Sequence, residues 1–391
     1  MRDILYRLGL TAFLVMVCLS FFMEFAQATE KRETILWKLP AGAIQPQAAV
    51  DSKGVVHLIY FRNGASEGTG NLYYSRLSGK EIRASPPLKI NSAPDTAGSL
   101  GTVRTAQIAI GKGDRVHVVW NGLGRKGSNG YPTAYQAYAR MNDGGTAFEP
   151  QRNLTAWAFG LDGGGTVAAD GEGNVYVAWH ASVDAKEDAG RAVFVSRSGD
   201  NGATFSREKQ ANPELRGACA CCGMRAFVDG KGTLYLLYRA AAKNIERDTM
   251  LLVSKDKGVA FTEKRLDKWD INACPMSTYS LADSANGILA TWETSGRVYY
   301  GPINLSTMSV SMKMQVPGAS QKHPFITTAS NGESLLVWAE GTGWQRGGSL
   351  NWILIDKEGK MGTGGRLEGA IPAWGLATAF PRPSGGFVIV Y

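Results

Sequence analysis

Apolar and polar residues alternate in seven short stretches along the chain. They read AAVDSKGVVHLIY (48–60), QIAIGKGDRVHVVW (107–120), TVAADGEGNVYVAW (166–179), RAFVDGKGTLYLLY (225–238), YSLADSANGILATW (279–292), FITTASNGESLLVW (325–338) and TAFPRPSGGFVIVY (378–391). Each holds two apolar runs around a turn of Asp, Gly, Ser, Asn or Pro, and each closes on an aromatic residue. Period-two apolarity predicts strands, and the turn chemistry joins them as hairpins. The closing aromatics Tyr60, Trp120, Trp179, Tyr238, Trp292, Trp338 and Tyr391 lie 60, 59, 59, 54, 46 and 53 residues apart. Further strand-like runs follow several hairpins, such as NLYYSRL (71–77), RAVFVSRS (191–198), TMLLVSKD (249–256) and RVYYGPI (297–303).

A module of three or four antiparallel strands cannot bury both of its faces alone. Seven such modules can do so by stacking radially, as in a β-propeller. The seventh copy ends after two strands, and Thr34-Ile-Leu-Trp-Lys-Leu39 is a suitable missing strand. The expected fold is all-β: a seven-bladed β-propeller closed by an N-terminal strand. Six blades with an irregular tail is the alternative. Composition agrees. Glycine contributes 48 of 391 residues and charged residues only 19%, which suits a turn-rich strand protein. An apolar content of 44% excludes a disordered tail. The net charge of +8 favours acidic partners, but the basic residues form no block and no nucleic-acid motif occurs.

The N-terminus reads as a targeting segment. Arg2 and Arg7 precede an apolar run from Leu8 to Phe25, and Ala26-Gln27-Ala28 offers a cleavage site. The expectation is a signal peptide over 1–28, cleaved after Ala28, and one propeller domain over 29–391. An uncleaved membrane anchor is the alternative. No later stretch is long and apolar enough to span a bilayer. The mature chain is expected to be periplasmic or secreted.

A second motif recurs after the third strand of some copies. Ser198-Gly-Asp200-Asn-Gly202-Ala-Thr204-Phe205 is the fullest form, Ser254-Lys-Asp256-Lys-Gly258-Val-Ala-Phe261 is looser, and Asp143-Gly-Gly145-Thr-Ala-Phe148 looser still. Asp accepts backbone N–H bonds, Gly supplies a positive-φ turn, and the aromatic packs between sheets. This pattern resembles the Asp box, or BNR repeat, of the sialidase-like propellers. The resemblance implies their fold, with glycoside hydrolysis as the activity to test. The family's first carboxylate-binding arginine motif is absent: the corresponding stretch reads Ala43-Ile-Gln-Pro-Gln-Ala-Ala49. The stretch from Cys219 to Met276 also resembles uncharacterised exported bacterial Asp-box proteins with a Cys-x-Cys-Cys loop, a likeness that brings no activity with it.

In a propeller, the loop leading into the first strand of a blade and the loop leaving the second share one rim. That rule gathers Cys219, Cys221 and Cys222 with Cys274, His323 and Trp374, all before first strands. It adds Asn121, His180, Arg239 and Glu293, which follow the closing aromatics, and Arg247-Asp248 in the loop after Arg239. The ligand-binding candidates are therefore His180, Arg239, Arg247, Asp248, Glu293, His323 and Trp374. An arginine there can receive an anionic or glycan ligand, or can simply pair with Glu293 or Asp270. Four cysteines in an exported chain suggest disulfides. The same cysteines can instead hold copper or zinc, or act as redox thiols, although the fold itself requires no cofactor. A protein-interaction scaffold is the remaining alternative. His57 and His117 occupy one repeat slot and are expected to pack. Trp157 either stacks on a sugar or caps a sheet edge, and Gly160–Thr166 is a loop leading into a strand rather than a phosphate loop.

Overall fold

The computed structural model describes residues 33–66, 68–78, 82–126, 132–182, 187–214 and 216–391; the expected signal peptide over 1–28 lies outside them. Among the described residues the only helical elements are three short 3-10 turns, so the chain is all-β. All seven hairpins form. Their first strands are Ala43–Val50, Gln107–Ile110, Thr166–Ala169, Arg225–Val228, Tyr279–Ala282, Gln321–Thr328 and Thr378–Pro381. Each pairs antiparallel with the strand after it. Each first strand also lies beside the first strand of the next repeat, and Thr378–Pro381 lies beside Ala43–Val50. At the N-terminus, Thr34–Trp37 runs parallel to Phe387–Val390, with Thr34 opposite Phe387 and Trp37 opposite Val390.

The core is divided into layers, each drawn from two successive repeats. Trp120 packs with Ile59 and Tyr74, Trp179 with Val119 and Tyr138, and Tyr238 with Tyr176 and Val193. Trp292 packs with Tyr235 and Leu251, Trp338 with Val298 and Tyr300, and Ile389 with Val337 and Leu350. One layer joins the two ends of the chain: Phe380, Val388 and Val390 pack with Leu58 and Tyr60. Removing a fully buried aromatic such as Trp179 costs about 3–5 kcal/mol, so each layer depends on its closing aromatic.

The turns behave as their chemistry requires. Asp200 accepts the Thr204 N–H at 2.8 Å and the hydroxyls of Thr204 at 2.6 Å and Ser198 at 2.7 Å. Gly202, at φ +79°, donates its N–H to Ser198 Oγ at 2.8 Å. Phe205 then meets the Tyr138 ring edge-on at 4.8 Å, fixing this turn to the preceding repeat. The Ser254 turn repeats the pattern, with Asp256 bonded to Ser254 at 2.7 Å and to the Ala260 N–H at 3.0 Å; Gly258 donates to Ser254 at 2.8 Å, and Phe261 packs against the layer holding Tyr176. The third turn corrects the sequence reading. Asn142, not Asp143, accepts the backbone N–H groups of Thr146 and Ala147, at 3.0 and 3.4 Å. Asp143 points outward and pairs with Arg115. Met141 in the serine slot offers no hydroxyl to orient an Asp there, so the neighbouring amide closes the turn.

His57 and His117 are buried at the expected slot, bonded to Tyr74 at 2.7 Å and Tyr138 at 2.8 Å. Burial pushes His117 down to about 3, only partly offset by its bond to Asn201. The unfolded chain therefore takes up a proton near pH 6.5 that the folded chain refuses. Stability from this site is full above pH 6.5 and is lost as pH falls towards 3. Between pH 7.5 and 5.5 the native chain should lose about 1.4 kcal/mol more than the His117→Gln variant, measured by urea unfolding. Equal losses would remove this assignment.

Candidate functional site

The cysteine loop is built from backbone contacts that the sequence does not announce. Cys219 donates its N–H to the Arg239 carbonyl at 2.9 Å, Gly223 to Ser277 at 2.9 Å, and Gly163 to Ala220 at 2.5 Å. A methyl group at Gly163 would stand 2.5 Å from the Cys222 carbonyl oxygen, so glycine lets this loop approach. Asp188 orders the loop from outside. It accepts the Ala220 N–H at 3.2 Å and holds Arg247 at 2.6 Å.

Three sulfurs result from this packing. Cys219 Sγ lies 2.9 Å from Cys222 Sγ and 3.4 Å from Cys221 Sγ, and all three fall within 4.8 Å of one another. Cys274, from the following repeat, lies near enough to Cys221 to act on its pKa but is not one of the three converging sulfurs. All four are free thiols, so the expected disulfides are not formed here. Cys219 and Cys222 are buried, Cys221 is half-buried and Cys274 is exposed. Burial opposes ionisation of Cys222, but hydrogen bonds from Cys219 and Cys221 outweigh it, helped by the nearby Arg239 guanidinium, and hold its pKa well below the usual thiol range. Cys219 is pushed well up, first by its hydrogen bonds to Cys221 and Cys222.

Arg239 stands near Cys222 in a buried position, without a carboxylate partner among the described residues. It donates to the backbone carbonyls of Arg247 and Glu293, both at 2.6 Å, and its guanidinium lies 4.8 Å from the Trp269 ring and 5.6 Å from the Tyr279 ring. Aromatic faces stabilise a desolvated cation. Glu293 is fully buried, bonded to the Ser277 hydroxyl and, at 2.7 Å, to the Gly296 N–H. His180 accepts the Gly163 N–H at 3.2 Å, and burial lowers it to about 4. Burial likewise lowers His323 to about 3; its Nδ1 lies 3.4 Å from Thr278 Oγ1. Both histidines are neutral at pH 7, and neither joins the group of three sulfurs.

The remaining candidates find partners outside the sulfur group, although Arg247 stays close enough to Cys219 and Cys221 for their charges to act on it. Arg247 pairs with Asp188 rather than Asp270. Asp248 turns to Arg265, at 3.2 Å, and accepts the Trp269 N–H at 2.9 Å. Trp374 meets Trp344 edge-on at 5.9 Å. Trp157 packs edge-on against Phe194 at 5.3 Å and so caps a sheet edge. Sequence reasoning missed Asp188, Trp269, Ser277 and Tyr279, which support the site from outside any motif. It also read Cys219–Cys222 only as part of Cys-x-Cys-Cys, although the two are spaced as Cys-x-x-Cys. Below the rim, the space between Gln47, Arg225, His323 and Leu376 is about 30 Å³, room for one water.

Comparison with known proteins gives no match to a family profile and none among curated proteins. Solved structures do match. An α-L-arabinofuranosidase from Fusarium graminearum, in complex with an iminosugar inhibitor, aligns over 78% of this chain and 92% of its own at 10% identity and TM-score 0.52. A Penicillium chrysogenum α-L-arabinanase with arabinobiose covers 82% and 95% at 10% identity and TM-score 0.53. A leech intramolecular trans-sialidase covers 87% and 70% at 12% identity and TM-score 0.51. The likeness shows a sialidase-like β-propeller fold.

The burial order sets a reactivity order. In reduced native protein, iodoacetamide should modify Cys274 first, with Cys219 and Cys222 protected, as read by peptide mass spectrometry. Asp188→Ala should release the loop and raise labelling of Cys219 and Cys222 by roughly tenfold or more, since protection there reflects local opening. Uniform labelling of all four cysteines in the native chain would contradict the packing.

Proposed function

We propose that this chain is an exported propeller that holds a soft metal ion, copper(I), on the thiolates of Cys219, Cys221 and Cys222. The observation that carries this reading is the convergence of three sulfurs within 4.8 Å, with Cys274 alongside. A metal about 2.3 Å from each of three thiolates needs sulfurs roughly 4 Å apart, and small side-chain rotations bring these to that spacing. Soft thiolates prefer copper(I). Three thiolates around a monovalent ion leave two negative charges, which the neighbouring Arg239 and Arg247 help to neutralise. Zinc on the same ligands leaves only one. Export through cleavage after Ala28 would place the site outside the cytoplasm.

The propeller in this proposal has seven blades. The seven inter-repeat apolar layers support that count, and the pairing of Thr34–Trp37 with Phe387–Val390 supports closure by the N-terminal strand. Copper(I) titration of anaerobically reduced protein, in competition with bicinchoninate, should show one ion bound per chain. Cys222→Ser should weaken binding by at least a hundredfold. A reduced protein that takes up no copper(I), or a Cys222→Ser variant that binds as before, removes the reading.

A second reading is a glycan or acidic ligand at the rim. It is favoured by Trp344, which is 53% exposed and braced by Trp374. Aromatic faces of this kind stack on sugar rings, and the structural neighbours named above include an arabinanase with arabinobiose. On this reading a glycan array shows specific retention that Trp344→Ala abolishes. Absence of retention across the array would end it.

A further inference from the structure

The thiol rim is not the largest space along the axis of the first strands. At the opposite mouth, their C-terminal halves enclose about 410 Å³. That volume lies in the range of small-molecule sites, about 300–1,000 Å³. Its wall includes Ala49, Ile110, Ala169, Val228 and Phe325. Two charged side chains line it, Arg225 and Asp283. Asp283 directly follows Tyr279–Ala282 and so sits towards the outer mouth. Arg225 begins its strand and lines both this cavity and the small space beneath the rim, so it stands at the neck between them.

Arg225 is poorly compensated there. No carboxylate lies within ion-pair distance of it among the described residues. Its one long hydrogen bond runs to Gln47 Oε1 at 3.4 Å, and its Nε has no partner. The Phe325 ring is 5.7 Å away. Burial alone acts on its pKa and lowers it to about 10, so the side chain stays charged at pH 7. Arg225 is half-buried overall, but its Nε is shut off from solvent, and a desolvated guanidinium without a counter-charge is unfavourable. Arg239 meets the same problem with two backbone carbonyls and two aromatic faces, whereas Arg225 keeps Nε without a partner beside the cavity.

We infer that this cavity binds an organic anion, its carboxylate on the Arg225 guanidinium and its apolar body along the strand walls. The site is separate from the thiol cluster and independent of the copper reading. An inorganic oxyanion would satisfy the charge but leave most of the cavity unfilled.

Isothermal titration calorimetry with octanoate, octanol and inorganic phosphate separates these chemistries. Octanoate should bind saturably and raise the melting temperature. Octanol and phosphate should each bind at least tenfold more weakly. Arg225→Gln should lose octanoate binding by at least tenfold, and Arg225→Lys should recover part of it. Without ligand, Arg225→Met should melt at or above the native chain, because removing an unpaired, partly desolvated charge is neutral or stabilising. No octanoate binding, equal binding of octanol or phosphate, or unchanged binding by Arg225→Gln would each overturn the inference. A large fall in the melting temperature of unliganded Arg225→Met would overturn it too, by making Arg225 a packing residue.

Discussion

Each sheet in this protein is apolar on both faces, and that constraint organises everything else. A lone four-stranded sheet such as Arg225–Asp267 would leave Tyr238 and Tyr235 on opposite faces in water. Tyr238 is instead covered by the preceding repeat and Tyr235 by the following one. No central core exists to which a repeat could be added or from which one could be removed independently. Stability is therefore shared among neighbour interfaces, as in other repeat architectures. The first and last repeats meet the same demand through one layer, where Val388 and Val390 join Leu58 and Tyr60. A chain that left those faces open would expose apolar surface at both ends.

The same arrangement creates the candidate site without any local motif. Cys222 and Cys274 are far apart in sequence because a whole hairpin and its outer strands lie between them. Their loops meet, with Gly223 donating to the Ser277 carbonyl, because loops leading into successive first strands emerge side by side. Burial there lowers His180 and His323, and the hydrogen bonds among the sulfurs push Cys219 up. Burial of polar groups at this density requires support. Asp188, Ser277 and the Arg239 backbone provide it.

What could be read from the sequence divides along physical lines. The strands and turns were legible because period-two apolarity and Asp–Gly turns are local signals, and the repeat spacing turned them into an architecture. That topology grouped Cys219, Cys222, His180, Arg239 and Glu293 in the sequence reading, and the structure joins Cys219 to Arg239 and Arg239 to Glu293 through backbone carbonyls. Pairing was not legible, because partners are chosen by side-chain direction. Arg247 was weighed against Glu293 and Asp270, yet it turned to Asp188, a residue in the preceding repeat that no spacing rule indicated. Asp143 failed for a related reason. Its motif slot matched, but with Met141 beside it the adjacent Asn142 satisfied the same backbone donors.

Arg239 and Arg225 show how the fold treats one chemical problem in two ways. Both are arginines on the fourth hairpin, Arg239 buried and Arg225 half-buried, and neither has a carboxylate partner among the described residues. Arg239 lies between repeats, where side chains from two sheets can be brought against it. Trp269 and Tyr279 cover its faces, and two carbonyls take its protons. Arg225 lies on the inner edge of its strand, facing the axis. Only Gln47 and the Phe325 ring are found against Arg225 from other repeats among the described residues. A guanidinium in the first position is held by the protein and lends its field to the thiolate of Cys222. A guanidinium in the second keeps its hydrogen-bonding capacity for whatever enters the cavity.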